Sequence, residues 1–523
     1  MLAVALLTLV GGLRPKPWRP AVAVLEVVWP AGRVLTRASL LLTAILLLVA
    51  SRGLRRGHRL AWAGTIGLLG LAALLHLTHP HGLVPAVLVG AGAAWLVTRR
   101  RAFPVLPSRG ELLRGALIVL VGLATIGGVV ALLALLAGPT TADRTQVHAA
   151  MRLVSIALAA VFVVVLAWSL TSPRQPRLGA GRAAHLADRE RARAAVLRHG
   201  AGTLDYFALR DDKEWFFVAD TVVAYAVRGG VCLVSPDPVG PVDQRAQAWA
   251  EFQDHATAHG WSLAVLGADA SWVPVYEASG LRAVYLGDEA IVDCTAFTLA
   301  GGERKSLRKT VNRIVAYGYT TTFHTPGEVP GDVRAQIEQI AAESRRGAGE
   351  RGFSMTLSRL FDPRDTELML SVTRTSEGRV DAFCQWTPAP VLPGWSLDVM
   401  RRRLDVPDLP NGIMDFTVVR TIEEVARRGG TGLGLNFAVM RRTLEGERDS
   451  RWDHLVRPVL RRLSEQTQMS SLAAYNEKFG PAWVPRYVVL DSAEFVAAQA
   501  LAMAGAEGVT DLPVIGRFLG DRP

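Results

Sequence analysis

GWSLDVMRRRLDVPDLPNGIMDF, residues Gly394–Phe416, carries both signatures of an α/β fold in one short run. Trp395, Leu397 and Val399 alternate with Ser396, Asp398 and Met400, the period of a β-strand. Pro410-Asn411-Gly412 reads as a turn with Asn411 as helix N-cap, and Ile413, Phe416, Val419 and Ile422 then recur at core-stripe helical spacing. Asp398 is expected to face away from Trp395 and Leu397, toward a cleft, with Arg401 at the strand end. Such a pair is either a pKa-tuned site or an ion pair that orders the chain. Asp415 falls in the first helical turn, where the helix dipole favours an acid, so it reads first as a helix-start residue.

Working outward, the same grammar repeats. TVVAYAV (221–227), GVCLVSP (230–236), WSLAVLG (261–267) and RYVVLD (486–491) read as strands. Helical patterns fall at 243–260, 332–344 and 414–429. The chain from 183 to 492 is therefore expected to be a cytoplasmic α/β domain, in two parts, 183–325 and 326–492, with an Ala-rich tail over 493–523.

The N-terminal third is different. Val34–Ala50, Leu60–Leu77, Leu83–Val97, Leu112–Ala137 and Met151–Leu170 are almost free of charge, and most approach the ~20 residues that a helix needs to cross a bilayer. Residues 1–170 read as a multi-pass membrane domain of five or six helices, and 171–182 as a basic Pro/Gly linker. Loops 51–59 and 98–110 are strongly basic, which by the positive-inside tendency places them and everything after Leu170 on the cytoplasmic side. Arg14, Lys16, Arg19 and Arg33 run against that scheme. A net charge of +11 suits anionic partners, phospholipid or nucleic acid. The 3 cysteines have no paired spacing, which argues against a zinc ribbon or a disulfide framework. No metal is expected, the nearest candidate being the trio His76, His79 and His81.

Candidate chemistry sits at four places. GGERKSLRKTVNRI (301–314) puts Lys305, Arg308, Asn312 and, less closely, Arg304 on one helix face, opposed by Leu307, Val311 and Ile314. A basic helix start can hold phosphate, although most charged faces are simply solvated. Glu350 lies in a Gly-rich break beside GFSM, where a loop carboxylate could act as a base. Arg486 is the one base beside Trp483 and Tyr487. The glycines of RRGGTGLGLN (427–436) follow a helix and lead into a strand, so they read as a helix stop and not as a pyrophosphate loop.

VCLVSPDPVG (231–240), RKSLRKTVNR (304–313), ERGFSM (350–355), WSLDVMRR (395–402), PNGIMDF (410–416) and YNEKFGPAWVPRY (475–487) occur in this order. Together they resemble the catalytic domain of the phosphatidylglycerol lysyltransferases, the aminoacyl-phosphatidylglycerol synthases or multiple peptide resistance factors. The resemblance implies two consecutive GNAT-like folds. It implies transfer of an aminoacyl group from aminoacyl-tRNA to a lipid hydroxyl, phosphatidylglycerol or another anionic or hydroxylated lipid, at the cytoplasmic membrane face. No cofactor is implied, since the aminoacyl ester is already activated, and there is room for a homo-oligomer. Residue by residue, the resemblance assigns catalysis to Asp398, Arg401 and Glu350. It assigns substrate contacts to Arg486 and Asp415, with Arg304, Lys305, Arg308 and Asn312 meeting tRNA or headgroup. The membrane region is shorter than in the large family members, which puts a lipid-flipping role in question. The alternatives on the same fold are an acyl-CoA-dependent acyltransferase and a non-catalytic tRNA- or lipid-binding protein.

Overall fold

A computed structural model describes residues 45–51, 53–77, 83–106, 109–135, 157–166, 181–345, 352–404, 406–439, 469–491 and 495–507, with two isolated positions besides. The chain divides into two compact units, Met1–Arg174 with Asp254–Trp261, and Gln175–Gln253 with Ser262–Pro523.

The first unit is helical where it is described: α1 (Arg59–Leu77), α2 (Leu83–Thr98) and α3 (Arg109–Leu135). Leu69, Ala72, Val89 and Leu96 form its small core, and the Trp62 indole N–H donates to Leu96 O at 2.8 Å. Within α3, Leu112–Val129 is long and apolar enough to cross a bilayer, and little of it is buried by protein. Among the described residues it is the one helix that meets this test; α1 and α2 are shorter apolar helices. Five or six spans are therefore more than the described helices provide by length. Of the first expected span the residues before 45 lie outside the described ones, and of the last, Ala157–Leu166 is a further short apolar helix.

From Arg182 onward the order is α4 (Arg182–His199), β1 (Glu214–Val218), β2 (Thr221–Arg228), β3 (Val231–Val234), α5 (Arg245–Ala258), β4 (Ser262–Asp269), α6 (Val273–Ala278) and β5 (Arg282–Asp293). Then come α7 (Lys305–Ala316), β6 (Thr320–His324), α8 (Gly331–Arg345), β7 (Met369–Arg374), β8 (Val380–Ala389), β9 (Gly394–Arg402) and α9 (Ile413–Arg427). The last elements are β10 (Gly432–Val439), α10 (Met469–Glu477), β11 (Ala482–Leu490) and α11 (Val496–Ala506). This is an α/β domain with one continuous 11-stranded sheet, in the order β1-β2-β3-β4-β11-β5-β10-β9-β8-β7-β6.

The sheet revises the expected division in two respects. β6, placed in the first half by a boundary at 325, pairs along its whole length with β7, so it belongs with the second half. The halves are also not consecutive closed folds. The final strand, β11, is inserted antiparallel between β4 and β5, and β5 in turn pairs with β10.

The opening stretch forms a strand, a turn and a helix, with two local departures. The residue before α9 is Gly412 at φ +87° and no side chain caps the helix, so Asn411 is not the N-cap. Instead, Asn411 O accepts from Arg313 Nη2 at 2.7 Å. The second departure is a β-bulge: Gln385 pairs with Val399 and Trp386 with Leu397, leaving Asp398 as the extra residue. Leu397 packs with α7 and α9 on one sheet face, whereas Val399 packs with α8 on the other. In a regular strand Asp398 and Arg401 would point to opposite faces. The bulge puts both on the α8 face.

Candidate functional site

The sheet separates the expected site residues into two groups. Lys305, Arg308, Asn312, Arg304 and Asp415 are carried by α7 and α9 or their starts, and these helices cover one face through Leu307, Val311, Ile314, Ile413, Phe416 and Ile422. Asp398, Arg401 and Arg486 are on the opposite face. Glu350 lies outside the described residues.

On the helical face a cleft of about 520 Å³ opens between α7, α9 and α10, lined by Arg304, Arg313, Arg402, Asp415 and Lys478 among others. Two of the expected phosphate ligands are already engaged. Arg304 donates to Thr298 O at 2.9 Å and Phe479 O at 3.2 Å, and Arg308 donates to Leu299 O at 2.6 Å and Gly301 O at 3.0 Å. They fasten the loop before α7. Lys305, Lys309 and Asn312 are exposed. Asp415 pairs with Lys478 Nζ at 3.1 Å.

On the other face, Asp398 is buried and both oxygens are occupied. Oδ1 accepts from Leu357 N at 2.9 Å and Oδ2 from Gln385 Nε2 at 2.6 Å. Gln385 also donates to Arg359 O at 2.9 Å, so Asp398 and Gln385 together pin the segment that follows GFSM. Arg401 donates to Ser344 Oγ on α8 at 3.2 Å. The pinned segment spans the two halves: Arg189, fully buried on α4, reaches Asp365 at 2.9 Å, and Arg210 donates to Gly352 O at 2.8 Å and Thr356 O at 3.1 Å.

Arg486 is the centre of a second constellation. From β11 it donates through Nε and Nη2 to Glu289 Oε2 of β5, at 3.0 and 2.6 Å, through Nη1 to Asp269 of β4 at 3.2 Å, and to Thr203 Oγ1 at 2.7 Å. Asp237 and Asp205 stand beside it. The Asp237 carboxylate accepts from Tyr276 Oη at 2.6 Å and from Asp269 N at 2.7 Å. Burial pushes Asp237 up to about 7, against the hydrogen bonds and the guanidinium that hold it down. Asp205 is also raised by burial. Asp269 is held below the usual range because Ser271 and the Arg486 charge outweigh its partial burial. These groups line a cleft of about 590 Å³ with Thr203, Trp272, Ile291, Leu392 and Val484. Three aspartates, Asp205, Asp237 and Asp269, and two arginines, Arg245 and Arg486, line the cleft, so it offers carboxylate partners without a large net negative charge.

Sequence reasoning found Arg486 but missed its partners. Asp237 lies within the quoted VCLVSPDPVG motif, yet nothing in a single carboxylate beside two prolines announces a buried, near-neutral group. Glu289 sits in GDEAIVD without any local signal. The meeting of these residues is a product of strand exchange, which no short window contains.

The profile of the family described as "Phosphatidylglycerol lysyltransferase, C-terminal" matches residues 193–490, more than half of the chain, including all of the described strands but not α1, α2 or α3. The chain belongs to this family. Among curated relatives of this phosphatidylglycerol lysyltransferase family, the lysylphosphatidylglycerol biosynthesis bifunctional protein LysX of Rhodococcus jostii is 34% identical over 339 residues, 63% of this chain and 30% of the relative. The LysX of Mycobacterium tuberculosis strain H37Rv is 32% identical over 453 residues, 80% of this chain and 37% of the relative. The chain thus spans about a third of the length of these relatives. The structure of L-PGS from Bacillus licheniformis aligns with a TM-score of 0.55 at 24% identity, covering 61% of this chain and 96% of that one. The C-terminal domain of a putative lysylphosphatidylglycerol synthetase from Agrobacterium fabrum gives 0.53 at 24%, covering 62% and 98%. At that identity these two likenesses establish the shared fold.

Proposed function

We propose that this protein transfers an aminoacyl group, of the lysyl class, from aminoacyl-tRNA to a hydroxyl of phosphatidylglycerol at the cytoplasmic membrane face. Membership of the lysyltransferase family supports the reaction class, and the single observation that carries the substrate reading is the acid-lined cleft around Arg486. A lysyl ester is a cation tethered to an activated carbonyl, and its charged end finds carboxylate partners in such a cleft.

The chemistry needs no external activation. The lipid hydroxyl oxygen bonds to the ester carbonyl carbon, the ribose oxygen leaves, and one proton moves from the attacking to the departing oxygen. Asp237 lines the cleft and titrates at about 7, so it is poised to take that proton and return it. Arg486 stabilises the negative charge that develops on the carbonyl oxygen. Asp398 and Arg401, the resemblance's catalytic pair, line neither of the two clefts described, and in this reading Asp398 positions the segment after GFSM and Arg401 the end of α8. Lys305, Lys309 and Asn312, exposed on the far face, contact the tRNA backbone. The apolar helices of residues 1–170 hold the domain at the bilayer as a multi-pass anchor.

The deciding experiment is reconstitution of the full chain in phosphatidylglycerol vesicles with separately charged lysyl-tRNA, read by lipid mass spectrometry. A gain equal to one lysyl residue is expected, abolished by RNase pretreatment. No new lipid species with any aminoacyl-tRNA would sink the reading.

A further inference from the structure

α7 ends in a side chain that the fold leaves unused. Tyr317 is its C-cap, and Gly318 at φ +78° then turns the chain back toward β6. The Tyr317 ring is 60% exposed, whereas the other aromatic side chains described in the second unit are buried or half-buried. Neither its ring nor its hydroxyl has a hydrogen-bond or ring partner among the described residues. A single exposed ring is ordinary; the setting of this one is not. Lys305, Lys309, Arg313 and Tyr317 follow one another at four-residue spacing and are all exposed. Three cations therefore run in one row, about 6 Å apart along the helix axis, up to the ring.

Beside the ring opens a cleft of about 540 Å³, lined by Arg313, Tyr317, Thr375, Ser376, Glu377 and Leu409 among others. Ser376 and Glu377, in the turn between β7 and β8, are exposed and bring a hydroxyl and a carboxylate that bond nothing among the described residues. We infer that this cleft receives the base of an unpaired nucleotide of the donor tRNA, stacked on Tyr317. The inference rests on the aminoacyl-transfer reading above. Proteins hold unpaired RNA by stacking splayed-out bases on aromatic rings, by hydrogen bonds to the base edges and by cations along the backbone. Tyr317 supplies the platform, Ser376 and Glu377 the edge contacts, and Lys305, Lys309 and Arg313 the row of cations. A phosphate finds no net positive charge inside the cleft. Its two arginines are matched by Glu377 and Asp408, and Arg379 is already held by Asp381 at 2.9 Å. An acyl chain would meet hydroxyls and carboxylates in place of an apolar wall.

Filter binding of the full-length protein in detergent tests this, with an uncharged lysine tRNA transcript and a blunt RNA duplex as probes. Tyr317→Ala should weaken tRNA binding by about 5- to 150-fold, the range for one lost base–aromatic stack. The slope of log affinity against log salt should stay as in the wild type, because no phosphate contact is lost. Tyr317→Phe keeps the ring and should bind as the wild type does. The blunt duplex, with no unpaired nucleotide, should be indifferent to Tyr317→Ala. Wild-type tRNA affinity in Tyr317→Ala overturns the base site. So does an equal loss on the duplex, or a loss that Tyr317→Phe shares. The exposed ring should leave the melting temperature unmoved, which separates lost binding from lost fold. Lipid aminoacylation by the wild-type preparation separates the two failures. Lipid product beside an indifferent Tyr317→Ala overturns the base site alone, and no lipid product overturns the transfer reading on which it rests.

Discussion

Asp398 accepts two hydrogen bonds that a neutral amide cannot both keep, because Asn would turn an NH2 group toward Leu357 N or Gln385 Nε2. Asp398→Asn should cost about 1–3 kcal/mol. Stability and activity should fall together in denaturant melts run beside the lipid assay; a stable but inactive variant would place Asp398 against the substrate instead. Arg486→Ala leaves Glu289 and Asp269 without their cation, and removing one partner of such a buried cluster costs on the order of 3–5 kcal/mol, read as a lowered melting midpoint. Asp237 sets a pH dependence. Its folded pKa of about 7 lies above the ~3.9 of an unfolded chain, so the folded state binds more protons between those values. Stability contributed by this group is full below about 4 and lost as pH rises through 7; Asp237→Asn should flatten that slope in melts taken from pH 4 to 8.

Among the elements, the strand, turn and helix of residues 394–427 were legible because alternation and core-stripe spacing are local properties. The bulge at Asp398 was not, since it exists only relative to the β8 register, and it decides which face the carboxylate takes. The Asn411 cap failed for a related reason: Gly412 supplies a left-handed turn that puts the Asn411 carbonyl, not its side chain, to use by Arg313. β5 carries Glu289 and is shared by both halves, which no local pattern signals. Gly394 meets β10 so closely that a Cβ would enter the space of Gly432 O. Gly394→Ala should therefore strain the β9–β10 junction and lower stability by about 1–3 kcal/mol, measurable by thermal denaturation.

Across the second unit, the sheet acts as a partition with a basic helical face on one side and the Arg486 cleft on the other. If tRNA lies on the basic face, Lys305→Glu with Lys309→Glu should weaken tRNA binding and make the slope of log affinity against log salt shallower by about 1–2, at ~0.7–0.9 per phosphate contact. Both lysines are exposed, so the melting temperature should not move. Filter binding across a salt series reads this directly.

The insertion of β11 between β4 and β5 also dictates an order of assembly. During synthesis β4 and β5 are complete long before Ala482 is added, yet each lacks one of its two neighbours, β11, until then. For that interval the nascent chain carries two bare strand edges, the condition under which chains add to one another end to end or depend on a chaperone. The acid cleft is assembled by the same late event, since Arg486 arrives on the closing strand. The cleft therefore lacks its central arginine until β11 is in place.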